Sequence, residues 1–115
     1  MRITAKQYDD EPNYPENKIV VFDTDDVKRL SWWIEEKKGT SWDEKEDVYT
    51  YTAVAHIQFN DDEERDIILC QKRHTENRGE FTDCSDEVEC CYEADEIVSS
   101  LFSNLKEIDG GREHE

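Results

Sequence analysis

The chain has 115 residues, 35% of them hydrophobic and 39% charged, and its 31 Asp and Glu outweigh 14 Lys and Arg to give a formal net charge of -17. That length sustains one modest core and not two, and that charge excludes direct binding to nucleic acid or to an anionic membrane surface, because both would repel it. The opening MRITAKQYDD lacks the apolar core of a secretory signal, and the longest apolar runs, 19–22 and 67–70, are far too short to span a bilayer, so a soluble cytoplasmic protein with reduced cysteines is expected.

In chain order, residues 1–17 read as an irregular N-terminal segment or edge strand, with two prolines breaking DDEPNYPEN into a loop. KIVVF at 18–22 is an apolar, β-branched run and predicts a buried strand. A helix is predicted over about 25–38: Thr24 can cap it, Asp25 and Asp26 fill its first turn, Lys37 and Lys38 its last, and Gly39 ends it. In that helix Val27, Leu30, Trp33 and Ile34 turn inward and Trp32 the other way, either into a second contact in a structural role or into solvent, where it would anchor a partner. DVYTYTAVAHIQF then alternates with period two, and the turn NDDEE leads into RDIILCQKR, which predicts a central hairpin over 47–73. After a loop, a second helix is predicted over 86–109, with Ser85 as cap, an apolar face from Cys90 to Ile108, an acidic stripe, and Gly110 as stop. Residues 86–93 also alternate as a strand would. Residues 110–115 form a tail. The expected fold is a single α+β domain over 18–109, an antiparallel sheet of three to four strands packed against two helices.

Three constellations bear on chemistry. VVFDTDDV resembles the nucleophile motif of haloacid-dehalogenase-type phosphotransferases, and the resemblance implies Asp23 as nucleophile, Asp25 as acid/base, Mg²⁺ between them and a doubly wound parallel sheet around them. Thr24 acting as a cap with two aspartates in the following turn accounts for the same residues without chemistry. Cys70, His74, Cys84, Cys90 and Cys91 contain a Cys-x3-His half-site for zinc but no tight second half, and thiols on apolar faces are ordinary core residues. His56, on the outer face of a strand with no acid or nucleophile at a telling spacing, reads as a surface or cross-strand residue. No phosphate loop or nucleophile triad is present, so the expectation is a non-enzyme without cofactor or metal.

The charge carries the functional reading. From 83 to 96 there are seven acids and no base in fourteen residues. On a helix that is about one acid per 3 Å, close to the ~3.4 Å charge spacing of a DNA strand. Val88 and Tyr92 stand one turn apart among those acids, and Asp61 and Asp62 add a second cluster in the hairpin turn. The expected function is a non-enzymatic inhibitor that binds the basic nucleic-acid-binding surface of a partner protein, similar in character to the acidic phage proteins that block nucleases and CRISPR or restriction effectors. Asp83, Asp86, Glu87, Glu89, Glu93 and Glu96 would pair with its Arg and Lys, and Tyr92, Val88 and Trp32 would anchor it. An immunity protein for a cationic toxin nuclease fits the same pattern, and a salt-adapted acidic surface would need no partner. A homodimer through the spare sheet face is a further expectation.

Overall fold

A computed structural model describes residues 1–8, 18–78, 85–103, 105 and 108–110. The predicted loops at 9–17 and 79–83, with Asp83 and Cys84, and the tail beyond Gly110 lie outside the described residues.

The strands are β1 (Arg2–Gln7), β2 (Ile19–Asp23), β3 (Val27–Thr40), β4 (Glu46–Phe59), β5 (Glu64–Asn77) and a short β6 (Ile108–Gly110), with one helix, α1 (Asp86–Leu101), between β5 and β6. They form one sheet in the order β2-β1-β5-β4-β3-β6. The first five strands pair antiparallel, and β6 joins β3 in parallel over Leu30–Trp32. The expected sheet of three to four strands with two helices is therefore corrected to five antiparallel strands and one helix.

The element that changes is the predicted helix over 25–38. Asp23, rather than Thr24, accepts from the Asp25 amide at 2.9 Å, and Asp25 and Asp26 sit in only a single 3-10 turn, Thr24–Asp26, before the chain extends. Val27, Leu30 and Ile34 satisfy a helical period, but Leu30, Trp32 and Ile34 satisfy the strand period equally. Pairing along all of β4 decides the contest, because it satisfies the backbone of a 14-residue strand and buries Leu30 at 0% and Trp32 at 3% exposure. Trp32 is thus a core residue and not an anchor for a partner.

The predicted hairpin is present. β4 pairs with β5 from Glu46↔Asn77 to Gln58↔Glu64, with one bulge where Ala53↔Cys70 is followed by Val54↔Ile68. The extra residue, Leu69, lets Ile67 and Cys70, three apart, both pack toward the core. Opposite Trp32 and Ile34 stand Ala55 and Ala53, whose small side chains leave room for α1. The helix fills that room with Cys90, Cys91, Ala94 and Val98. Cys90 comes close enough for its Sγ to lie 3.7 Å from the Tyr51 carbonyl.

Residues 86–93 are helical, so α1 begins where predicted, but it ends at Leu101 rather than 109. Ser85 does not cap the backbone; its hydroxyl donates to Glu89 at 3.4 Å. Phe102, fully buried, leaves the helix to stack on Phe22, and Ile108 pairs beside Leu30. Gly110, read as a helix stop, lies opposite Trp32 in β6.

β1 is an inner strand, between β2 and β5, so the edge position expected for it falls to β2. Although β2 and β3 stand at opposite ends of the antiparallel array, only the turn Thr24–Asp26 separates them in sequence. The sheet must therefore curl. Phe22 of β2 meets Phe59 of β4 edge-on with ring centroids 5.4 Å apart, and the Asn60 amide donates to the Asp26 carbonyl at 2.9 Å. On the face away from α1, Val54 and Thr52 are buried, Tyr8 and Trp33 both donate to Glu35, and Gln71 donates to Thr52 at 2.9 Å.

Candidate protein-binding surface on α1

The buried residues of α1 define its inner side, and at 100° per residue the outward pole falls near Glu89, Tyr92 and Glu96, with Val88 and Asp95 beside it. The exposures agree: Tyr92 is 65% and Val88 36% exposed, and Glu87, Glu89, Asp95 and Glu96 face solvent. An aromatic and an aliphatic group one turn apart, rimmed by carboxylates, make a small apolar centre with a charged border. Comparison with known proteins finds no matching family model, curated protein or solved structure.

Two of the predicted acids are engaged from within the protein. Glu93 Oε2 lies 2.8 Å from Lys72 Nζ on β5, and that contact holds the Lys72 ammonium above its ordinary pKa. Asp86 Oδ2 lies 3.8 Å from His74 Nδ1, whose other ring nitrogen meets the buried Glu76 at 2.8 Å. Glu87, Glu89, Asp95 and Glu96 face no cation at bonding distance among the described residues, about one charge per 4 Å of helix axis. Of these only Glu89 and Glu96 lie near the outward pole, about 10 Å apart along the axis, so the helix presents a much sparser charge row than the sequence alone implies. Asp95 belongs with the outward acids and was missing from the predicted set.

Asp61 and Asp62 do not extend this surface. They sit in the β4–β5 turn, while the first turn of α1 lies against His74, ten residues up β5 and so roughly 33 Å away along the strand. Asp62, at φ 69°, serves the turn and receives Lys28 Nζ at 3.4 Å; Asp61 accepts from the Glu63 amide at 3.0 Å. Trp42, at the β3–β4 turn, is 96% exposed and is the one tryptophan that faces solvent freely.

The other constellations resolve as follows. Asp23 ends an edge strand of an antiparallel sheet, and its carboxyl is held below the usual range by the Asp25 amide and by the Met1 amino group at 3.1 Å. The parallel-sheet surroundings that the phosphotransferase resemblance implies are absent. Cys70 and Cys90 bring their sulfurs to 3.5 Å, but His74 turns to Glu76 and Asp86 instead of joining them. Among the described residues no three His, Cys, Asp or Glu side chains gather to hold a metal. Burial and the Cys90 contact push the Cys70 thiol well above its ordinary pKa, with the hydrogen bond to Cys90 the larger cause. Among the described residues no helix is long and apolar enough to cross a membrane. His56, read as a surface or cross-strand residue, stands across from Asp66 and bridges Asp66 and Glu64, and both raise its pKa.

Proposed function

We propose that this is a non-enzymatic acidic protein of the cytoplasm that uses the outer face of α1 to occupy the basic nucleic-acid-binding surface of a partner protein, such as a nuclease or a CRISPR or restriction effector, and so blocks it. The observation that carries the reading is the exposure of Val88 and Tyr92 one turn apart between Glu89, Asp95 and Glu96 on a continuous helix. A binding face gains from both kinds of group: the acids steer and orient, and the apolar pair supplies contact once water is expelled. The wider field supports the same direction, since a net charge of -17 favours encounter with a cationic surface.

The test is a capture experiment at low salt and at about 0.5 M salt, where the screening length falls well below 10 Å. Wild-type protein should retain a nucleic-acid-binding protein at low salt, lose most of it at high salt, and lose it to added duplex DNA. Glu89→Lys with Glu96→Lys should abolish retention. Retention by this double variant equal to the wild type would sink the reading.

A further inference from the structure

The outer edge of β2 differs from the other open edge of the sheet. Beyond β6, the free edge of β3 runs through Glu35, Glu36, Lys37 and Lys38, charges of the kind that keep an edge from recruiting another strand. β2 carries Ile19 and Val21 at 61% and 49% exposure. The register shows which backbone groups it offers. The Gln7 amide donates to the Lys18 carbonyl at 2.8 Å and the Thr24 amide to the Met1 carbonyl at 2.7 Å. Hydrogen-bonded pairs in an antiparallel ladder fall at every second residue, so Val20 and Phe22 turn their amides to β1. Ile19 and Val21 turn theirs outward, where no described strand meets them.

Alongside lies a groove of about 670 Å³, walled by Ile19, Val21 and Phe22 on one side and by Phe59, Asp61 and Glu63 on the other. Asp26 closes it, and its Arg65 is taken by Glu63 at 3.5 Å. The groove thus sets an open strand edge, with Ile19, Val21, Phe22 and Phe59, beside the acids Asp26, Asp61 and Glu63. A second copy of the chain would bring the same rim and another -17 charge against it, which disfavours self-pairing. A basic strand meets both demands.

We propose that β2 accepts an extended basic segment of a partner protein as an added antiparallel or parallel strand, with alternate apolar side chains over Ile19 and Val21 and Lys or Arg toward Asp26, Asp61 and Glu63. The inference rests on the reading of the protein as a binder of basic partners and gives it a second contact, at the opposite end of the molecule from the first turn of α1. Here affinity comes from main-chain hydrogen bonds and selectivity from the acidic rim.

The test uses the full chain and a blocked eight-residue peptide alternating lysine and valine, with residue-resolved amide exchange as the readout. At peptide concentrations about tenfold above Kd, exchange at Ile19 and Val21 should slow about tenfold, while Val20 and Phe22, already bonded to β1, change little. The same peptide N-methylated at alternate amides should lose the effect. Val21→Pro removes only an outward donor and should abolish it, with protection at Val20 and Phe22 reporting an intact ladder. If that variant fails to fold, Ile19→Lys with Val21→Lys replaces it. Glu89→Lys with Glu96→Lys should leave the β2 protection unchanged, so a failure of the α1 reading and a failure at β2 are told apart. Absence of binding, equal binding of the N-methylated peptide, or binding that protects only α1 would overturn the proposal. So would protection of Ile19 and Val21 that grows with protein concentration alone, which would assign the edge to a second copy.

Discussion

Lys72 Nζ on β5 lies 2.8 Å from Glu93 Oε2 on α1, so the sheet supplies the cation that the helix itself lacks from residue 79 to 105. Both side chains are more than a third exposed, so solvent screens the pair and it adds little to stability. Its larger effect is on charge density. Lys72→Gln should lower the urea midpoint only slightly, yet increase affinity for an arginine-rich peptide by releasing Glu93 to the outer row. A weaker complex would show that Glu93 is not part of the binding face.

The apolar pair on α1 and the buried Trp32 of β3 should separate function from stability. Tyr92→Ala and Val88→Ala remove exposed groups and should shift stability by no more than about 0.5 kcal/mol while weakening the partner complex. Trp32→Ala empties a buried site and should cost about 3–5 kcal/mol. Urea denaturation beside a binding isotherm measures both.

His56 gives a pH signature. Its ring lies between Asp66 and Glu64, and the hydrogen bond to Asp66 is the main cause that raises its folded pKa above 6.5. A raised histidine contributes its stabilisation fully below the unfolded pKa and loses it as pH rises through the folded one. Wild-type stability should therefore decline as pH rises from about 6.5 through the folded pKa, and His56→Gln should flatten that part of the profile. Proton NMR titration of the ring should give a pKa above 6.5; a value below it would contradict the bridge.

Cys70 and Cys90, with sulfurs 3.5 Å apart and 20 residues apart in sequence, should join on exposure to glutathione disulfide. The more accessible Cys70, once deprotonated, attacks a glutathione sulfur and releases one glutathione. Cys90 then displaces the second, and the protein loses two hydrogens in mass. Because the thiolate is the attacking species, the reaction should accelerate as pH rises above neutral. The cross-link between β5 and α1 should stabilise by about 3 kcal/mol, the value for a loop of this length. Cys90→Ser should abolish both the mass change and the gain.

The parts of this fold that the sequence makes legible are those where one periodicity has no rival. β4 alternates strictly over most of its 14 residues and pairs as expected with β5. The region 27–40 has two admissible periods, and its capping signals point to the wrong one; only the presence of β4, with alanines placed opposite Trp32 and Ile34, selects the strand. The end of α1 was hidden for a related reason. Leu105 and Ile108 keep helical time while serving other elements, the core and β6. At the candidate surface, the outward placement of Val88 and Tyr92 follows from local geometry and is readable. The Lys72–Glu93 and His74–Asp86 contacts are not, because they depend on which strand lies beside the helix.

The short turn Thr24–Asp26 has a consequence for self-association. It ties β2 to β3, which stand at opposite ends of the antiparallel array, so the sheet cannot flatten without breaking the Phe22–Phe59 contact or the Asn60–Asp26 bond. Cross-β stacking needs flat ribbons laid one on another. In a protein this rich in strand, with an apolar edge left open, the curl that its own covalent chain enforces works against that geometry.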